Sequence, residues 1–284
     1  MKKFSLITIT SGRKKHLFNM LRGIQKASIL PTEVIIVAIN LTLDLKEFTN
    51  LPIKIITIET SVEENVPLAS ARNLGAKSAS TNNLLFLDVD CIPSHTYFEE
   101  MLNALQDKKG LIMGTPRYLT QEIKKINNKE LKEKSVLHPD RNFSPTLYSE
   151  ENYSLFWSLC FAIEKNNFDK IGGFDESFKG YGAEDTDFAW TCNRRNIPFS
   201  ISPAVAFHQQ HPVYKPPLQH FHSILQNAEV FFKKWGCWPM EEWLKEFENF
   251  GLIIWDIKFN KITLKKVPSQ EMLKRAYKPK KAFV

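Results

Sequence analysis

Between Leu84 and Asp90 the chain reads LLFLDVD. Leu84 to Leu87 is a continuous apolar run, the pattern of a parallel strand buried on both faces. It closes in Asp88 and Asp90, which alternate around Val89 and so project to one side of an extended chain. Carboxylates at the carboxyl end of a buried strand stand where open α/β sheets place their ligands. Asp-x-Asp suits a hard divalent cation such as Mg²⁺ or Mn²⁺, which takes oxygen ligands and shares its other positions with phosphates.

The first hundred residues alternate strand and helix around that run. Strands are expected at Phe4–Thr10, Glu33–Ile39 and Ile53–Ile58, and helices at Lys14–Lys26 and Ala69–Ser78. Such alternation implies right-handed βαβ units and a parallel sheet. The stretch 105–150 is polar and lysine-rich, with Asn127, Asn128, Pro139 and Pro145, and is expected to be a long mobile connection. Order returns from Ser154, with a helix over Glu184–Asn196 and a strand over Phe199–Phe207 leading to His208. Pro216 and Pro217 start a long helix with an aromatic stripe, and LIIWDIKFNKITLKKV reads as a hairpin turning at Asn260-Lys261. The expected division is 1–212 as one domain and 213–284 as a small helix-and-hairpin extension. Within the first, 1–104 and 151–212 are its two halves.

A second carboxylate motif, IGGFDESFKGYGAEDTDFAW, spans Ile171 to Trp190. Its glycines permit tight turns and close approach of backbone to a ligand. Glu184 and Asp185 arrive together, and adjacent carboxylates cost stability unless a cation, a donor or a substrate hydroxyl meets them. The plainer alternative is an acidic loop in which Asp185 or Thr186 caps the next helix.

A chain of 284 residues with 43% hydrophobic and 24% charged residues can bury a sizeable core. No window approaches a membrane-spanning run, and the N-terminus reads as a strand and not a signal peptide. The four cysteines form no Cys-x-x-Cys pair, so reduced thiols and a cytoplasmic location are expected. The net charge of +7 lies wholly in residues 261–284, which hold eight basic side chains and one acid. Such a tail is usually solvated and poorly ordered, or holds a protein peripherally against anionic lipid at the inner face of the membrane. No nucleic-acid motif accompanies it, and no nucleic-acid partner is expected.

The segment NVPLASARNLGAKSASTNNLLFLDVDCIP resembles the core of inverting glycosyltransferases of family 2 with the GT-A fold. KIGGFDESFKGYGAEDTDFAW is similar to the Glu-Asp segment of β-1,4-galactosyltransferases and bacterial chondroitin-type polymerases. The resemblance covers residues 4–212. It implies a Rossmann-like mixed sheet flanked by helices and transfer of a hexose from a UDP-sugar to a saccharide hydroxyl. Galactose or N-acetylgalactosamine is the favoured sugar. Asp185 then stands at the position of the general base, and Glu184 beside it orients the acceptor. Asp90 would hold Mn²⁺ or Mg²⁺, and Asp88 would face the ribose or donor sugar. Arg72 would reach the nucleotide or donor, a fork suited to phosphate or sugar oxygens. In AVAFHQQHP a histidine joins the cation, His208 in preference to His211, because imidazole mixes with carboxylate on Mn²⁺. The second strand departs from the family by ending in Ala38-Ile39-Asn40, leaving Asn40 to reach a base edge. Thr10, Ser11 and Arg13 are the other candidates for base and diphosphate contacts. The alternative from another class is a catalytically silent carbohydrate- or nucleotide-binding protein with the same fold.

Overall fold

A computed structural model of the chain describes residues 2–60, 66–141 and 143–279. Asn65, the first residue of the family-like core segment, and Lys280 and Lys281 of the basic tail lie outside the described residues.

The order begins with β1 (Ser5–Thr10), α1 (Lys14–Gln25), β2 (Glu33–Ile39), β3 (Ile53–Ile58), α2 (Leu68–Lys77) and β4 (Asn83–Leu87). Their apolar runs pair in parallel, with β1 between β2 and β4 and with β3 outside β2. Next come β5 (Cys91–Pro93), α3 (Tyr97–Lys108), β6 (Leu111–Leu119), α4 (Asn128–Glu133), β7 (Ser135–Val136) and β8 (Tyr148–Ser149). They are followed by β9 (Cys160–Glu164), α5 (Lys165–Ile171), α6 (Glu184–Arg194) and β10 (Phe199–His208). The main sheet runs β3-β2-β1-β4-β9-β6-β10-β5, with β7 on β6 and β8 on β10. It is mixed because β9 lies antiparallel between β4 and β6.

Helices cover both faces. One core joins Leu17, Met20 and Leu21 of α1 and Phe98 and Met101 of α3 to Leu6, Val34 and Leu85. The other packs Phe168, Phe174 and Phe188 against Ile7, Val37, Phe86 and Phe161. Each such side chain withdrawn from water stabilises the fold by roughly 1.5–3 kcal/mol. Phe174 and Phe188 stack at 4.1 Å, which ties the glycine-rich segment to the helix that follows it.

The remaining chain forms β11 (Val213–Tyr214), α7 (Phe221–Trp235), α8 (Glu241–Asn249), β12 (Ile253–Asp256), β13 (Lys261–Leu264), α9 (Gln270–Ala276) and β14 (Tyr277–Lys278). Leu218, Phe221, Ile224, Phe247, Trp255 and Ile262 give it a core of its own.

Three expectations need correction. The stretch 105–150 is not one connection, because α3 runs into it and Leu111–Leu119 is an interior strand paired with β9 and β10. Gly114, Pro116 and Arg117 look like breakers, yet the strand runs on through them along β10, with Thr115, Pro116 and Arg117 opposite Val205, Ala206 and Phe207. The basic tail is ordered through residue 279: Ser269 caps α9 by accepting from the Met272 N–H at 3.2 Å, and β14 pairs with β11. The hairpin forms, but its turn is the four residues Ile257–Asn260, ending on Asn260 at φ +50°.

Candidate active site

β4 ends at Leu87, and the Asp88 carbonyl accepts the Cys91 N–H at 2.8 Å. Asp88 and Asp90 therefore sit on a tight turn, not on an extended strand as the alternation suggests. The turn leads straight into β5, whose antiparallel register with β10 sets Cys91 opposite His208. The Gln209 N–H then donates to the Asp90 carbonyl at 2.7 Å. Residues more than a hundred positions apart are thus fixed beside each other by backbone pairing.

Asp90, His208 and His211 offer ligand atoms that all lie within 4.8 Å of one another. His211 Nε2 stands 3.8 Å from an Asp90 oxygen. Sequence reasoning chose between the two histidines; the structure brings both to Asp90. The carboxylate is also ion-paired with Arg13 and lies 2.5 Å from His16 Nδ1. Burial, followed by the nearby Arg13 cation, lowers both His16 and His211 to about 4. Burial likewise holds His208 well below the ordinary imidazole range. All three imidazoles are neutral at pH 7, the state in which nitrogen can bind a metal. Two nitrogens and a carboxylate at this spacing fit a mixed-ligand ion such as Mn²⁺.

Arg72 is buried on α2, not a surface arginine. Its guanidinium reaches Glu184 at 3.4 Å and Asp88 at 3.9 Å, over the Phe174 ring at 5.0 Å. The next residue, Asn73, clamps the glycine-rich segment to α2. It donates to the Phe174 carbonyl at 2.9 Å and the Glu176 carboxylate at 2.8 Å, and accepts the Phe174 N–H at 2.8 Å. A Cβ on Gly173 would fall 2.5 Å from the Asn73 amide oxygen, so the clamp requires glycine there.

Glu184 and Asp185 open α6, but neither caps it: the cap position is Ala183, in the left-handed region at φ +67°. Glu184 accepts the Gly182 N–H at 3.0 Å. Gly182 adopts φ +110°, and a Cβ would meet the Met240 sulfur at 2.8 Å. Asp185 accepts the N–H of Thr186 at 2.8 Å. Withdrawal from water, and then the charge of Glu184, push Asp185 up to about 7.

The extension reaches the same segment. Asn227 of α7 donates to the carbonyls of Lys179 and Gly182 at 3.0 and 2.9 Å. Asp187, 1% exposed, accepts from Lys234 Nζ at 2.9 Å and Trp235 Nε1 at 2.7 Å. His16 and Lys234 stand outside the quoted motifs, and Asn73 and Asp187 stand inside them beside residues whose chemistry is more conspicuous. Sequence reading therefore assigns none of the four a role. The one available signal is placement, since each lies within three residues of a residue already singled out or on the long apolar helix.

At the carboxyl end of β1, the Thr10 hydroxyl is buried with no hydrogen-bond partner among the described residues. Ser11 is exposed next to it. Asn40 is engaged otherwise than expected: its amide donates to the Thr60 carbonyl at 2.9 Å and accepts the Thr60 N–H at 2.8 Å. That bracket ties the ends of β2 and β3 together, and Asn40 is not carried forward as a base contact.

Comparison with known proteins agrees with this arrangement. The family described as Glycosyltransferase like family 2 matches residues 6–229. The chain belongs to that family. The match passes the expected boundary at 212 and runs into α7. Within glycosyltransferase-like family 2, the chain is 28% identical over 176 residues to a chondroitin synthase of Pasteurella multocida, covering 51% of this chain and 18% of that protein. Among solved structures, S. aureus TarS 1-349 superposes with a TM-score of 0.53 at 16% identity, over 81% of this chain and 65% of that one. GalNAc-T7, solved with UDP, GalNAc and Mn²⁺, gives 0.54 at 15% identity, over 72% and 43%. These likenesses establish the GT-A fold. The chain spans less than half the length of the curated relatives it matches, 18% and 44% for the first two.

Proposed function

We propose that this protein is an inverting, metal-dependent glycosyltransferase moving a hexose from a UDP-sugar to a hydroxyl of a saccharide acceptor. The observation that carries the proposal is the continuity of the site. Arg13 connects to the Asp90–His208–His211 cluster, and Arg72 connects Asp88 to Glu184 beside Asp185. Galactose or N-acetylgalactosamine is the proposed sugar, supported by similarity to a chondroitin synthase and to a GalNAc-T7 bound to UDP and GalNAc. The buried thiols Cys91, Cys160 and Cys192 support a reducing, cytoplasmic setting.

Asp185 takes the proton of the attacking hydroxyl, and its raised pKa makes it a stronger base than an ordinary carboxylate. Glu184, held by Arg72 and Gly182, orients the acceptor. Asp90, His208 and His211 would hold Mn²⁺ or Mg²⁺, which when bound neutralises the departing diphosphate. Arg13 shares its charge with the phosphates, while Thr10 and Ser11 hydrogen-bond the nucleotide. Asp88 and Arg72 address the donor sugar and ribose.

The test is UDP release from UDP-galactose, UDP-N-acetylgalactosamine and UDP-glucose with saccharide acceptors, with and without Mn²⁺. Release should require the cation and favour one of the first two donors. Tight UDP binding without release from any donor would support the silent binding protein instead. Asp90→Ala should remove Mn²⁺-dependent UDP binding, measured by calorimetry, and His208→Ala should weaken it more than His211→Ala. Full cation dependence in Asp90→Ala would exclude Asp90 from the metal site.

A further inference from the structure

The turn between β12 and β13 carries Ile257 and Phe259, exposed at 62% and 72% of their surface. Turns in water favour glycine, proline, asparagine, aspartate and serine, so two large apolar side chains in one four-residue turn call for a partner. From Ile257 to Val267 the chain holds four lysines, Lys258, Lys261, Lys265 and Lys266, and no acid. Lys258 Nζ lies 5.6 Å from the Phe259 ring, so the apolar tip carries a cation against it.

The tip stands on a firm base. Trp255 and Ile262 pair across the hairpin and are buried in the core shared with α7 and α8. The Phe259 N–H donates to the Asp256 carboxylate at 3.1 Å, which closes the turn. Among the described residues, no helix is long and apolar enough to cross a membrane.

We propose that this hairpin tip docks the protein on an anionic lipid bilayer, Ile257 and Phe259 entering the interface while Lys258 and Lys261 meet the headgroups and Lys265 and Lys266 add attraction from the base of the hairpin. Lys265 and Lys266 stand at that base, where their N–H groups donate to the Leu252 carbonyl, and Lys258 and Lys261 flank the tip. A small apolar tip so flanked complements a surface that is negative outside and apolar a few ångströms beneath. A soluble polyanion would engage the lysines and leave the apolar side chains idle. A second copy would need about 800 Å² from each partner, more than such a tip supplies. The inference is independent of the sugar chemistry, since none of these residues belongs to the active site.

Co-sedimentation of the full chain with phosphatidylcholine vesicles, with and without about one-third phosphatidylglycerol, tests it. Binding should need the anionic lipid and weaken as salt rises from about 0.05 to about 0.5 M. The double change Ile257→Ser with Phe259→Ser should lower bound protein at least about tenfold. Its UDP release and melting temperature should stay those of the parent. Changing Lys258 and Lys261 together to Gln should also lower binding at least about tenfold. Equal binding to neutral vesicles, or binding that survives the double serine change, overturns the proposal. A doubled mass in light scattering that the serine change abolishes overturns it in favour of self-association.

Discussion

At the scale of single residues, Asp185, the proposed base, is where chemistry and binding can be separated. The base must be ionised to accept a proton, so kcat/KM should fall as pH drops through about 7, not through the ordinary carboxylate range. Asp185→Asn should cut transfer by roughly 10²–10⁴-fold and flatten that limb of the profile. UDP affinity should stay near the parent's, as expected for a group used mainly in the transition state. A parent-like rate in Asp185→Asn would remove Asp185 from the chemistry. Most of the site's residues are legible in the sequence because they fall in two dense motifs. What the motifs hide is pairing. His16 lies three residues past Arg13, and only the fold shows both reaching Asp90. Asn40 looks available for a base edge until its amide is seen bracketing Thr60.

At the scale of elements, α6 is held at its first turn by α7. Asp187 is buried, and Lys234 is the cation that compensates it. Lys234→Met should leave that carboxylate with only the Trp235 N–H, at a cost of about 3 kcal/mol. A lower thermal midpoint checks this, and an unchanged midpoint would show that Asp187 takes up a proton at little cost. The double change Asp187→Asn with Lys234→Met should recover part of the loss. The buried charge is gone, while Asp175, the other partner of Lys234 at 2.8 Å, is partly exposed and left to water. The strands β2 and β3 are plain in the sequence because each is an unbroken β-rich run between turns. Leu111–Leu119 is not, because Gly114, Pro116 and Arg117 interrupt it and lysines follow; only its neighbours β9 and β10 make it a strand.

At the scale of the whole molecule, the extension buttresses the active site. Phe231, Trp235 and Met240 pack against Phe178, Ala183 and Trp190, around the loop that delivers Glu184 and Asp185. A chain ending at residue 212 should lose UDP release and melt lower than the full chain, or fail to fold. Parent activity from that fragment would make the extension dispensable. The same unity bears on how the two substrates bind together. One buried cation, Arg72, answers both to Asp88, proposed to face the donor, and to Glu184, proposed to face the acceptor. A nucleotide sugar that draws the guanidinium toward itself loosens its hold on Glu184 and frees that carboxylate to receive a hydroxyl. Coupling of this kind is reciprocal, so a bound acceptor must tighten the donor by the same factor. Synergistic binding follows: saturating acceptor should tighten the sugar nucleotide, and saturating sugar nucleotide the acceptor, by one common factor. Equal affinities with and without the second substrate would sink the coupling.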